Sequence, residues 1–184
     1  MNDIMKYGFS KISPEELINE NVNPFKLIGK DWMLVTAGNE NGWNTMTASW
    51  GFMGVMWGKN VATTVVRPQR YTKEFIDDSD YFTLSFFDDN DKSALSYCGS
   101  HSGRDVDKAK ETGLDPIFID NTTSFKQAKM IIVCKKMYAQ EMTADSFIDK
   151  SADEKWYADK DYHVQYIGEI VAVYKKIECN IMQK

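Results

Sequence analysis

The sequence predicts a mainly β fold, an antiparallel barrel closed or nearly so, with short helices at its periphery. Three observations predict it: stretches rich in β-branched and aromatic residues recur, turn-forming residues separate them, and the segments with helical character are short. Trp32 to Ala37 reads as a strand, with Gly38-Asn39-Glu40-Asn41-Gly42 as its turn. A second strand runs from about Trp43 to Phe52 and a third from Val61 to Val66, ended by Pro68. Thr72 is placed to cap a short helix over Lys73–Asp77. Tyr81–Phe86 alternates apolar and polar residues as a half-buried strand does. Asp91–Tyr97 and Val106–Thr112 read as short helices, the second stopped by Gly113. Strands follow near Ile117–Asp120 and over Ala128–Met142, then a loop region through Tyr157, then a long strand-like run from Tyr162 to Cys179. Residues 1–24 read as an N-terminal extension with one short helix, opened by Ser13-Pro14-Glu15-Glu16. No repeat, low-complexity tract or Pro/Gly-rich linker divides the chain, so residues 1–184 are expected to form a single domain.

Apolar residues make up 43% of the 184, which argues against disorder and for a substantial core. The 5 Trp, 9 Tyr and 10 Phe can pack a barrel and can also wall a ring-shaped ligand. A net charge of −5 argues against nucleic acid as the main partner. The first residues lack the basic start and apolar run of a signal peptide, and no apolar stretch approaches the roughly 20 residues of a membrane span. Cys98, Cys134 and Cys179 are odd in number and widely spaced, as suits reduced thiols. A cytoplasmic protein with no membrane partner is the expectation.

Three segments carry chemical possibilities. Asn44-Thr45-Met46-Thr47-Ala48-Ser49-Trp50 puts small hydroxyl and amide side chains along a strand, where they can meet the edge of a planar heterocycle, with Trp50 as an apolar wall; a solvated strand face has the same composition. Arg67-Pro68-Gln69-Arg70-Tyr71-Thr72 leads into a helix whose free N–H groups favour an anion, and the two arginines can add charge-assisted contacts to phosphate oxygens. A capped surface helix with solvated arginines would look alike. Cys98-Gly99-Ser100-His101-Ser102-Gly103-Arg104-Asp105-Val106-Asp107-Lys108 is a polar loop whose glycines allow close backbone approach; it enters a helix near Asp105, and a surface turn with an Asp cap is the plainer account.

Other chemistries lack their motifs. There is no GxGxxG or Walker sequence, no HExxH, CxxC or GxSxG, and the only histidines, His101 and His163, are far apart. A zinc site and a hydrolase serine are therefore unsupported, and no catalytic side chain is assigned; His163 reads as a partly exposed strand residue and Cys98 as a small buried filler.

Taken together, in this order and spacing, the segments 44–50, 67–72 and 100–108, with the later His163 and Tyr166-Ile167-Gly168-Glu169-Ile170, resemble the flavin reductase-like FMN-binding split-barrel family, in particular its flavoredoxin-type branch. The resemblance spans roughly residues 25–175. It implies a split β-barrel, antiparallel and Greek-key-like, and a homodimer with one FMN per subunit near the dimer interface. By the same resemblance the 44–50 strand would line the isoalloxazine, through Asn44, Met46, Thr47, Ala48 and Ser49, with Thr45 and Trp50 of that strand also expected to bind the cofactor. Arg67, Arg70, Tyr71 and Thr72 would hold the phosphate and ribityl region, and Ser100, Ser102, Gly103 and Lys108 would complete the site. The chain departs from many members at Trp57-Gly58-Lys59-Asn60, where they carry a proline-containing turn. The implied activity is that of an NAD(P)H-dependent flavin reductase or related oxidoreductase, with the flavin performing the chemistry. The alternatives are an electron carrier that keeps FMN and serves a protein redox partner, and a barrel that binds another apolar or aromatic ligand.

Overall fold

The computed structural model describes residues 4–20 and 22–177. Its main sheet is built from β1 (Phe9–Ile12), β2 (Met33–Asn39), β3 (Gly42–Ala48), β4 (Met53–Met56), β5 (Lys59–Val66), β6 (Tyr81–Phe86), β9 (Met130–Glu141) and β10 (Val164–Lys176). The strands run antiparallel in the order β3-β2-β6-β9-β10-β5-β4, and β1 pairs with the far half of β10. The two end strands of that path, β3 and β4, are successive in sequence but not hydrogen-bonded to each other, so the barrel is split between them. A separate hairpin, β7 (Pro116–Ile119) and β8 (Thr122–Phe125), packs outside β2 and β6. Among the described residues five α-helices flank the sheet: α1 (Pro24–Lys26, continued by a π turn over Leu27–Asp31), α2 (Tyr71–Asp78), α3 (Lys92–Ser100), α4 (Lys108–Thr112) and α5 (Lys150–Trp156).

Side-chain alternation explains why the apolar run Met130-Ile131-Ile132-Val133-Cys134 is unbroken. Ile132 and Cys134 face the barrel interior with Val35, Phe82, Leu84 and Tyr166. Ile131 and Val133 face a second core beneath α3 and the β7–β8 hairpin, with Leu34, Leu95 and Phe125. A strand buried on both faces has no polar side to show. The β7–β8 turn puts Asp120 and Asn121 at positive φ, 44° and 60°, which those residue types tolerate better than most. The β4–β5 turn does the same with Trp57 at 52° and Gly58 at 69°, so segment 57–60 opens as a tight two-residue hairpin.

Several expectations shift. The strand expected over Trp43–Phe52 ends at Ala48, because Ser49 to Phe52 crosses from one barrel edge to the other. On the way Gly51 passes so close to β5 that a Cβ would overlap the Thr63 carbonyl. Helix α2 starts at Tyr71 with Arg70 as its flanking residue, so Thr72 lies inside the first turn and does not cap it. Helix α4 starts at Lys108, capped by the Asp107 carboxylate on the Lys110 N–H, three residues beyond the expected entry near Asp105. The expected loop before Tyr157 contains α5, and the Ser13–Glu16 start forms reciprocal capping bonds ahead of a 3₁₀ turn over Glu15–Asn19. The end of the last expected strand, with Cys179, lies outside the described residues.

Candidate functional site

The split in the barrel opens onto two adjoining cavities that share Met46, Arg67 and Arg70. One, of ≈ 180 Å³, is lined by Met46 to Trp50 of the β3 exit, Val65 of β5, Trp156 and His163. The other, of ≈ 320 Å³, is lined by Asn44, Tyr71, Thr72, Ser100, Ser102, Gly103 and Lys108 among others. Sequence segments dozens of residues apart therefore converge, and of the expected site residues only Thr45 lines neither cavity. Its side chain points to the face of β3 opposite Asn44 and Met46, where its hydroxyl shares a 2.8 Å hydrogen bond with that of Thr36, as alternation along β3 requires.

The larger cavity is rich in unneutralised positive charge. Lys108 is only 5% exposed, and its Nζ donates to the carbonyls of Thr45 and Cys98, each at 2.8 Å. Among the described residues no carboxylate forms an ion pair with Lys108 or with Arg70, whose Nη1 donates to the Gly99 carbonyl at 2.8 Å. Burial lowers the Lys108 pKa to about 8, opposed by Cys98 and assisted to a lesser extent by the Arg70 charge. Beside them Asn44 Nδ2 donates to Thr72 Oγ1 at 2.8 Å, which leaves the Thr72 proton free to point elsewhere. The loop is pressed onto this pair: a Cβ on Gly103 would overlap Asn44 Oδ1 and stand 2.9 Å from its Cγ, so only glycine fits there. Ser102 Oγ accepts from the Arg104 N–H, and Ser100 donates within its own helix turn to Ser96 and Tyr97.

Arg67 is differently placed. Its guanidinium is paired with Asp161 and donates through Nη2 to the Trp156 carbonyl at 2.9 Å. Hydrogen bonds from Gln69 and then Arg67 hold the Asp161 carboxyl below the usual carboxylate range. Its charge is already matched within the chain, unlike that of Arg70.

The smaller cavity has an aromatic rim. Trp50 meets Trp156 edge-on with ring centroids 4.9 Å apart, and lies 5.2 Å from the His163 ring. His163 is 8% exposed and shares a 2.8 Å hydrogen bond with the Tyr157 hydroxyl through Nδ1. Burial, then the Arg67 charge, bring its pKa down to about 4, so it is neutral at pH 7 and is a core histidine more than the half-exposed one the sequence suggested. Trp156 was not foreseen in the site; its only sequence signal was a Trp-Tyr pair inside a charged stretch. Cys98 is buried, and desolvation raises its thiol pKa to about 11, which makes it unreactive. Among the described residues no helix is long and apolar enough to cross a membrane, and no group of His, Cys, Asp or Glu is placed to hold a metal ion.

Comparison with known proteins adds a family and a set of fold relatives. The family model described as "Flavin reductase like domain" matches residues 26–180. A search of curated protein sequences finds no match. Among solved structures, the FMN-binding domain of a flavin reductases-like enzyme from Shewanella baltica superposes with a TM-score of 0.64 at 14% identity, covering 91% of this chain and 77% of that one. Flavoredoxin from Methanosarcina acetivorans gives 0.63 at 20% identity, with 79% and 68% covered. A 2-nitrobenzoate 2-nitroreductase from Pseudomonas fluorescens gives 0.59 at 19% identity, with 95% and 73% covered. At these identities the likeness is one of fold.

Proposed function

The chain belongs to the flavin reductase-like domain family, and from that premise we propose that it is an FMN-dependent oxidoreductase of the NAD(P)H:flavin reductase type. The cofactor is FMN. The observation that carries this reading is the pairing of two cations without carboxylate partners, one of them buried, with an adjoining cavity walled by strand and tryptophan. A buried lysine without a counter-charge is costly, and an anionic phosphate would relieve the cost.

In this reading Arg70, Lys108 and the Thr72 hydroxyl hold the phosphate at the start of α2, with Gly103 admitting the loop backbone. Asn44 fixes the Thr72 hydroxyl as an acceptor, so that its proton is offered to the phosphate. Met46, Thr47, Ala48, Ser49 and Trp50 bound the ring end, and Trp156 and Trp50 exclude water there. Bound FMN supplies reversible hydride transfer, which no side chain of the site can replace. His163 stores no proton at pH 7. The exposed apolar side chains of Phe52, Val55, Met56 and Trp57 on the β4 edge, continued by Tyr138 packed on Trp57, support a homodimer through this face.

Incubation with FMN, desalting and a visible spectrum test the cofactor site, and addition of NADH or NADPH tests the activity. Retained flavin that is bleached and turned over supports the reductase. Retained flavin that neither nucleotide reduces removes the reductase and leaves an electron carrier for a protein redox partner.

A further inference from the structure

Segment 143–163 leaves the barrel after β9 and returns at β10, its base closed by the Met142 N–H donating to the His163 carbonyl at 2.9 Å. It holds itself together. Tyr157 stacks on Tyr162 at 4.9 Å, Phe147 packs against both rings, and the Tyr162 hydroxyl donates to Asp153 at 2.8 Å. A unit with its own small core moves as one body.

Its polar links to the barrel are few and concentrated at one end. Arg67, just past β5, pairs with Asp161, donates to the carbonyl of Trp156 and lies over the Tyr157 ring at 5.3 Å. Gln69 donates to the other Asp161 oxygen at 2.7 Å. The residue whose carbonyl Arg67 grips is the one whose ring meets Trp50 at the cavity rim.

We infer that Arg67 is a positioning residue that clamps segment 143–163 onto the barrel and thereby sets the Trp156 wall of the ring-binding end, and that it is not a phosphate ligand. The inference rests on the FMN reading. Its logic is one of charge: a guanidinium already matched by a carboxylate and engaged with a carbonyl has little left for a phosphate, whereas Arg70 has no such partner. The clamp therefore acts on the flavin ring and leaves phosphate recognition to Arg70 and Lys108.

The test compares the Kd of FMN with that of riboflavin, which has the ring but no phosphate, by flavin fluorescence in the full chain. Arg67→Ala, Asp161→Asn and Trp156→Phe each weaken both flavins by the same factor, roughly tenfold, and the Arg67→Ala/Asp161→Asn double variant is no worse than either single one. Arg67→Lys, a milder change, gives a smaller loss shared by both flavins. Arg70→Ala weakens FMN alone. The clamp is overturned by a loss in Arg67→Ala confined to FMN, or by tighter FMN binding in Asp161→Asn because a freed Arg67 reaches the phosphate. Unchanged binding of both flavins in Arg67→Ala and Asp161→Asn also overturns it. A wild-type chain that binds neither flavin brings down the FMN reading, and the clamp with it.

Discussion

The Nζ of Lys108 lies 2.8 Å from the carbonyl oxygen of Thr45, a cation held by backbone dipoles in a buried setting. The contact ties the polar loop to the strand that borders the ring end. It also leaves a positive charge whose hydrogen-bond partners among the described residues are neutral.

From this follows a pH dependence of FMN binding. Lys108 is charged below about pH 8 in the free protein, and a bound phosphate favours the charged form. Affinity is therefore full below that pH and falls as the pH rises through it, by at most one power of ten per pH unit. Lys108→Met binds FMN at least about tenfold more weakly at pH 7, and the decline above pH 8 disappears. Titrations of flavin fluorescence from pH 6 to 10 check both.

Gly103 and Asn44 provide a steric prediction. Gly103→Ala overlaps the Asn44 amide, so the loop must shift at a cost of about 1–3 kcal/mol, visible as a lower melting temperature and weaker FMN binding. Asn44→Ala opens the space. The double variant is then less destabilised than the sum of the two singles, although the Thr72 hydroxyl has lost its donor.

His163 sets the acid limb of stability. The unfolded chain takes up this proton near pH 6.5 and the folded chain only near pH 4, so acid favours unfolding across that window. Stability is unaffected by the group above pH 6.5 and falls as the pH drops toward 4, by on the order of 3 kcal/mol in full. His163→Gln, compared by urea denaturation at pH 7 and pH 4.5, loses less between the two than wild type does.

The apolar β4 edge predicts the assembly. Val55 is 74% exposed and Trp57 57%. Light scattering gives the wild type twice the 21.1 kDa chain mass, and Val55→Glu or Trp57→Glu gives the single chain, because a carboxylate buried in an interface goes unpaired.

The sequence by itself determined most strands, since alternation and β-branched content are local properties: Tyr81–Phe86 appears with the bounds expected of it. It also identified the segments that meet at the split, but only by their order and spacing together and the family they resemble, because each segment alone has a plainer account as a solvated strand face, a capped helix or a surface turn. Only the tertiary structure decided what each side chain does there. Arg67 and Arg70 are three positions apart and chemically identical, yet one faces Asp161, 94 residues away, and the other a backbone carbonyl. Thr45 sits among the expected cofactor-binding residues but points at Thr36. Trp156 reaches the site on α5, a helix in a charged stretch whose local pattern predicts a loop. Partner choice and side-chain direction depend on which distant elements the barrel brings together, and a local pattern carries no record of that.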